Sequence, residues 1–190
     1  LARHVPGLEH RRNIGNFVTA LEDRKTRVGG LLTGHEERGM DVQDSVYLAR
    51  SLYEFWNHRE LEKLAGLVAT DCEILVAGSG ERFKGPPGAI ESSRIWADAF
   101  PDGRVEVDHI IAAGDFVAVE LTAKGTHTGV LRSSTGTIPA TGRSITLDIC
   151  DVVEIRGEKI QTIRSYLDSG SLLMQLGFIS ASGTTTRLRT

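Results

Sequence analysis

The spacing of hydrophobic residues changes period partway along the chain. From Asp41, the stretch "DVQDSVYLARSLYEFWNHRELEKLAGLVATDC" puts Leu48, Leu52 and Phe55 on one helical face, and the polar pair Asn57-His58 interrupts it. Leu61, Leu64 and Val68 mark a second, shorter helix. A third is predicted in "PPGAIESSRIWADAFPDG". There Pro86-Pro87 suit a first helical turn that needs no backbone N–H, Trp96 and Phe100 fall one turn apart, and Pro101 stops the pattern. Beyond Pro101 the period falls to two. Val105, Val107 and Ile111 alternate, "AGD" turns the chain at Ala113 to Asp115, and Val117, Val119 and Leu121 alternate again. A Gly-, Ser- and Thr-rich connection, "GTHTGVLRSSTGTIPATGRS", leads to strands at about 144–155 and 159–166, hinged on "RGEK".

Helices followed by a meander of strands predict an α+β fold: a cone-shaped barrel in which a curved, mainly antiparallel sheet wraps over N-terminal helices. The concave face of such a sheet is lined by every second residue of each strand. If Leu147 and Ile149 face inward, so does Asp151, while Asp148 faces out. A carboxylate that continues an apolar strand face is expensive to bury and tends to have its pKa raised. Two readings stand. Either Asp151 is a pocket acid, or it is neutralised by a group such as Arg164 or by backbone N–H groups at a bulge. On the last strand Ile163, Ser165 and Leu167 share one face, leaving Arg164 and Tyr166 on the other. Asp168, just before "SGSLLMQL", reads as the N-cap of a short final helix that Gly177 closes.

Length and charge set the boundaries. At 190 residues the chain is one domain by the usual prior, and a domain of about 150 residues buries about 70% of its unfolded surface, enough to enclose a pocket. Residues 1–41 read as an N-terminal extension, 42–177 as the folded domain and 178–190 as a tail. Ile14, Phe17, Val18 and Leu21 recur at helical spacing in the extension and stop at Gly29-Gly30, which predicts a lid, a dimerisation arm or a helix docked on the outside. The formal net charge is -3, and no block of five like charges occurs, so neither nucleic acid nor an anionic membrane is indicated. Cys72 and Cys150 stand far apart with no ligand-spaced His or Cys, which argues against zinc and reads as two thiols on strands. Without a signal-like segment or a long apolar run, a soluble cytoplasmic protein is expected.

Other side chains compete for a place in the cone. His109 shares parity with Val105 and Val107, so it either enters the cavity or is a structural histidine held by backbone. His127, beside the long connection, stands at the cavity mouth or on a solvated loop. Tyr53, Trp56, Trp96, Phe100 and Tyr166 are the aromatic residues placed to stack on a planar ligand or to fill the core, with Ile149 on the inward face beside Asp151.

Taken in order, "FWNHRELEKLAGLVATDC", "FPDGRVEVDHIIAAGDFVAVELTAKGTHTG", "IPATGR", "DVVEIRGEKI" and "YLDSGSLLMQLG" resemble the SnoaL-like polyketide cyclases of the nuclear transport factor 2-like superfamily, over about residues 46–177. The resemblance implies a cystatin-like cone, a homodimer or homotetramer, and a role in antibiotic biosynthesis on a hydrophobic substrate such as an aromatic polyketide. It implies ring closure by an intramolecular aldol reaction without metal or cofactor, a carboxylate acting as general base. Aligned through "QLG", the position of the catalytic aspartate in those cyclases falls on Ser165, which as a serine cannot replace a carboxylate base, and Asp151 falls on a second polar pocket position. The expectation is a cofactor-independent cyclase or isomerase with Asp151 as acid/base and Ser165 as its hydrogen-bonding neighbour. The alternatives are a non-catalytic small-molecule-binding or assembly module, and an epoxide hydrolase-like enzyme, against which the absence of any Arg-x-Asp stands.

Overall fold

The computed structural model describes residues 41–134 and 136–179; the predicted leader helix around Ile14 to Leu21 lies outside the described residues. Helix α1 (Val42–Asn57) begins where the Asp41 carboxylate accepts the Gln43 N–H at 3.1 Å, and it buries Leu48, Leu52, Tyr53 and Phe55. Helix α2 (Leu61–Leu67) follows the predicted break. Strands β1 (Val68–Val76) and β2 (Glu81–Lys84) come next, then helix α3 (Gly85–Ala99) with proline in its first turn. The remainder is β3 (Arg104–Ala113), β4 (Phe116–Thr126), the small pair β5 (Leu131–Ser133) and β6 (Gly136–Ile138), β7 (Ser144–Arg156), β8 (Lys159–Leu167) and helix α4 (Ser169–Leu176).

Six strands form one open, curved sheet in the order β2-β1-β8-β7-β4-β3, and β5 pairs β6 separately. Every neighbour in the large sheet is antiparallel except β1 against β8. Strands β1 and β2 correct the reading of helices first and strands afterwards. Val68, expected to end the second helix, has φ -92° and ψ 152° and opens β1. In "VATDCEILV" Thr70 and Asp71 are both exposed, so the alternation breaks for one step and the strand is hidden from a period-two pattern.

A second correction concerns β3. Val107 pairs Leu121 but His109 pairs Glu120, so one extra residue bulges at Asp108 and inverts all later parities. Ile110 and Ala112 turn inward, and Ile111, expected inside, is 64% exposed. The "RGEK" turn joins β7 to β8 with φ values of +56° at Gly157 and +63° at Glu158, the left-handed pair that a two-residue hairpin requires. Asp168 caps α4 as predicted, accepting the Ser171 N–H at 3.0 Å, and Gly177 ends it at φ +87°. Gln175 ties α4 to β7 by exchanging hydrogen bonds with the Thr146 backbone, N–H at 2.8 Å and carbonyl at 2.9 Å. Leu172 and Leu176 thereby join Ile145, Leu147, Phe100 and Leu131 in one buried cluster at that end of the sheet.

Candidate functional site

Period-two geometry on β7 and β8 produces the site. Ile145, Leu147, Ile149 and Asp151 share the concave face, and Asp151 stands directly opposite Ser165 on β8 and Val119 on β4. Helices α1 and α3 cover this face and leave a cavity of about 180 Å³. Into it converge Tyr53 and Trp56 from α1, Trp96 from α3, Phe100 after α3, Ile149 and Asp151 from β7 and Ser165 from β8. Trp96 and Phe100 stack with centroids 6.0 Å apart. Polar groups are few: Asp151, Tyr53 and Ser165 form one spot, and Ser92 and Ser93 on α3 another.

Asp151 is only 7% exposed. Its Oδ2 accepts the Tyr53 hydroxyl at 2.9 Å, while Oδ1 has no hydrogen-bond partner among the described residues. Arg164 does not neutralise it, because the opposite parity carries that side chain to the exposed outer face. Burial pushes the Asp151 carboxyl above the ordinary range; the Ser165 hydroxyl and then the Tyr53 phenol pull it back without reversing the shift. Ser165 lies close enough to favour the charged form without satisfying hydrogen-bond geometry at Oδ1. The Tyr53 phenol is raised well above its usual value, by burial first and then by the adjacent carboxylate. The pair thus consists of a phenol that keeps its proton and an aspartate that takes one up readily.

The mouth is fixed by two devices that carry no sequence signature. Asn57, the last residue of α1, exchanges 2.8 Å hydrogen bonds with both the N–H and the carbonyl of Val105, pinning the helix to β3. Arg59, at φ +59°, donates to the carbonyls of Trp56 at 2.9 Å and Gly103 at 3.0 Å and, at longer range, to those of Phe100 and Pro101. Its guanidinium carbon sits 4.1 Å from the centre of the Trp56 ring. Gly129 donates to the Ala99 carbonyl, and a side chain there would collide with the Asp98 carbonyl, so the long connection rests directly on the end of α3.

Three candidates do not reach the cavity: Tyr166, 48% exposed on the outer face of β8, and two histidines. His109 is rotated outward by the β3 bulge, and its Nδ1 lies 3.2 Å from Glu120 on the solvent face. His127 is neither at the mouth nor solvated: it is fully buried behind Phe100, ring centroids 5.1 Å apart. Its Nδ1 accepts the Thr141 N–H at 3.3 Å and lies 3.1 Å from the Thr141 hydroxyl, and Nε2 has no partner among the described residues. Burial lowers its pKa. A lowered folded pKa favours the neutral ring, so this contribution to stability is present above about pH 6.5 and is lost as pH falls through the folded value. A denaturant midpoint that drops on acidification below about pH 6.5 is expected, with the drop reduced in His127→Asn, whose amide oxygen can replace Nδ1; an unchanged pH dependence would show that His127 is not the group responsible.

Cys72 on β1 and Cys150 on β7 are free thiols, the first buried and held up to about 11 by burial. Among the described residues no group of three or more His, Cys, Asp and Glu is placed to hold a metal ion, and no helix is long and apolar enough to cross a membrane.

The same architecture recurs in solved structures. IdmH from Streptomyces antibioticus, described as a candidate polyketide cyclase, is 27% identical, with a TM-score of 0.58 over 70% of this chain and 98% of that one. AclR from Streptomyces galilaeus, a candidate hydroxylase, is 19% identical with a TM-score of 0.63 over 74% and 89%. A candidate SnoaL-like polyketide cyclase from Jannaschia sp. CCS1 is 15% identical with a TM-score of 0.64 over 77% and 97%. The latter two bear on the fold alone. No curated protein matches significantly. Residues 46–176 match the SnoaL-like polyketide cyclase family, so that a carboxyl-bearing apolar cone and more than half of the sequence agree, and the chain belongs to that family.

Proposed function

We propose that the protein is a cofactor-independent cyclase or isomerase that moves a proton on a hydrophobic carbonyl compound, with Asp151 as the acid/base. The observation that carries this reading is a buried carboxylate on an apolar cavity wall with one oxygen held by Tyr53 and the other unpartnered. Membership of the family and the likeness to IdmH support the reaction class. A cavity of about 180 Å³ is slightly larger than the ~150 Å³ that accommodates benzene, so it suits one or two rings of a substrate whose remainder extends through the mouth.

In this reading Asp151 removes a proton from a carbon flanked by carbonyl groups, using the oxygen that Tyr53 leaves free. The enolate carbon then bonds to a second carbonyl carbon of the same molecule. The resulting alkoxide takes the proton back from Asp151, restoring the carboxylate with no net gain or loss of atoms. A raised carboxyl pKa makes the carboxylate a stronger base, and general-base catalysis of this kind contributes about 10²- to 10⁴-fold. Aligned through "QLG", Ser165 falls where the resemblance puts the acid of the family's cyclases, and in this reading it orients the substrate oxygen. A module built only for binding gains nothing from a buried carboxylate with one oxygen left unpartnered, which costs stability.

The first step can be tested without the natural substrate. An aryl 1,3-diketone such as 1-(2-naphthyl)butane-1,3-dione carries a comparably acidic C–H. Its central hydrogen should exchange in D₂O faster with the protein than without, as followed by NMR, and Asp151→Asn should abolish the acceleration. Equal exchange with both proteins would remove Asp151 from the chemistry.

A further inference from the structure

The helical wall of the cavity carries a polar group that proton transfer at Asp151 does not use. Ala89, Ser93 and Trp96 recur at i, i+4 and i+7 on helix α3, the pattern continues to Phe100, and all four line the cavity. Ser93 therefore belongs to the face that α3 turns toward the sheet, and it is only 9% exposed. A serine within a helix commonly returns its hydroxyl to a carbonyl three or four residues back. Ser51 on α1 does so, donating to the Tyr47 carbonyl at 2.9 Å, and Ser92 does so with the Ala89 carbonyl at 3.2 Å. That carbonyl is also the one four residues before Ser93, and Ser93 makes no side-chain hydrogen bond among the described residues. A buried hydroxyl in this state costs stability, and alanine at the same position would be the better helix former.

We infer that Ser93 is a specificity-determining residue: its hydroxyl holds a second oxygen of the substrate, on the helical wall, while the reacting carbonyl lies at Asp151 on the sheet. The inference rests on the proton-transfer reading of Asp151. It adds that the enclosed ring of the substrate bears a hydroxyl or carbonyl group remote from the reacting carbon. Asp151, Tyr53 and Ser165 form one polar spot and Ser93 stands on a different element, so a substrate in contact with both is fixed at two points. Leu52, Trp96, Leu147 and Ile149 are among the apolar side chains of the walls, where a polar substituent would lose its water and gain no partner. A serine hydroxyl both donates and accepts, so it suits a phenol as well as a ketone. Attachment at two points decides which carbon of the substrate faces Asp151, and it rejects an analogue of the same shape that lacks the oxygen.

The probes are 1-(2-naphthyl)butane-1,3-diones carrying either a hydroxyl or a methyl group at ring position 6 or 7, the end remote from the diketone. They are titrated calorimetrically into the full chain at about pH 6.5, where a phenol keeps its proton. The two substituents are similar in size, and in an apolar pocket without a partner the methyl compound binds more tightly. With Ser93 in place the hydroxyl compound is expected to bind about tenfold more tightly than its methyl counterpart at one of the two positions. Ser93→Ala should reverse that order while the methyl compound binds as before. A methyl preference at both positions, a hydroxyl preference that survives Ser93→Ala, or no binding of any probe would overturn the proposal. Because binding is read without turnover, Asp151→Asn separates the two ideas: it should keep the hydroxyl preference while losing exchange of the diketone hydrogen, so either can fail alone.

Discussion

Asp151→Asn is expected to lose proton transfer and at the same time to unfold at a higher temperature than the parent protein. The first effect follows from an amide that cannot accept a proton in place of the carboxylate, removing about 10²- to 10⁴-fold. The second follows from burial. Asp151 has a folded pKa raised above the usual carboxylate value, so its contribution to stability is complete below about pH 3.9 and declines as pH rises through the folded value. The asparagine is isosteric, still accepts the Tyr53 hydroxyl, and carries no charge to desolvate. At neutral pH a gain of about 2–4 °C in Tm is expected, equivalent to roughly 1 kcal/mol in a domain of this size. The gain should vanish on acidification below about pH 4. Thermal melts at pH 4 and pH 7.5, beside the diketone exchange assay, read both effects. A variant that loses activity and stability together would mean that Asp151 holds the fold instead of serving the chemistry. The expected opposition of the two effects is the signature of a group retained for function at the expense of stability.

Tyr53 supplies a control on the same pair. Its hydroxyl donates to Asp151 Oδ2 and favours the carboxylate. Tyr53→Phe removes that donor, so the Asp151 pKa rises further and the basic form becomes populated only at higher pH. The ascending limb of the pH profile for exchange should move to the alkaline side, with a smaller loss at high pH than at low pH. An unshifted limb would mean that Tyr53 shapes the cavity without affecting the acid.

How much of this was legible in the sequence depended on whether local pattern or distant contact decides each residue's place. Strand β7 alternates without a break and β8 does so beyond the extra residue at Gln161, so the inward parity of Ile149, Asp151 and Ser165 followed from counting by twos, and the structure pairs Asp151 with Ser165 directly. The caps at Asp168 and Gly177 are likewise local. His109 was misplaced because a bulge adds one residue to β3, and nothing in "RVEVDHIIAA" marks where a strand slips against its partner. His127 looked solvated because it borders a Gly- and Thr-rich connection, yet that connection folds back and covers it through Thr141 and Gly142. Tyr53 was visible as an aromatic on a buried helical face, but its pairing with a carboxyl 98 positions away has no local sign. The bend of β1 at Thr70 and Asp71 hid a strand for the same reason, since its place is set by parallel pairing with β8 across the whole domain.

Arg59 shows what such long-range contacts contribute, and its removal is expected to be the most damaging single change at the mouth. One guanidinium bridges the end of α1, through the Trp56 carbonyl, to the Phe100–Gly103 turn that leads into β3, while its face covers the Trp56 ring. Hydrogen bonds from a charged donor contribute about 1.5–3 kcal/mol each when well formed, and the half-buried setting and the longer contacts reduce the total. Arg59→Met keeps the stem and loses the fork; a destabilisation of about 2–3 kcal/mol is expected, or about 5–10 °C in Tm. Arg59→Lys should recover little, because a single ammonium cannot reach four carbonyls in different directions. Arg59→Gly separates side chain from backbone: it also loses the fork but relaxes the positive φ of 59°, and should be less damaging than Met by about 1 kcal/mol. In a Trp96→Phe background, acrylamide quenching of Trp56 should increase in all three variants, since the ring that forms one side of the mouth is no longer clamped. Unchanged melting together with unchanged quenching in Arg59→Met would show that the turn and Asn57 hold the mouth unaided.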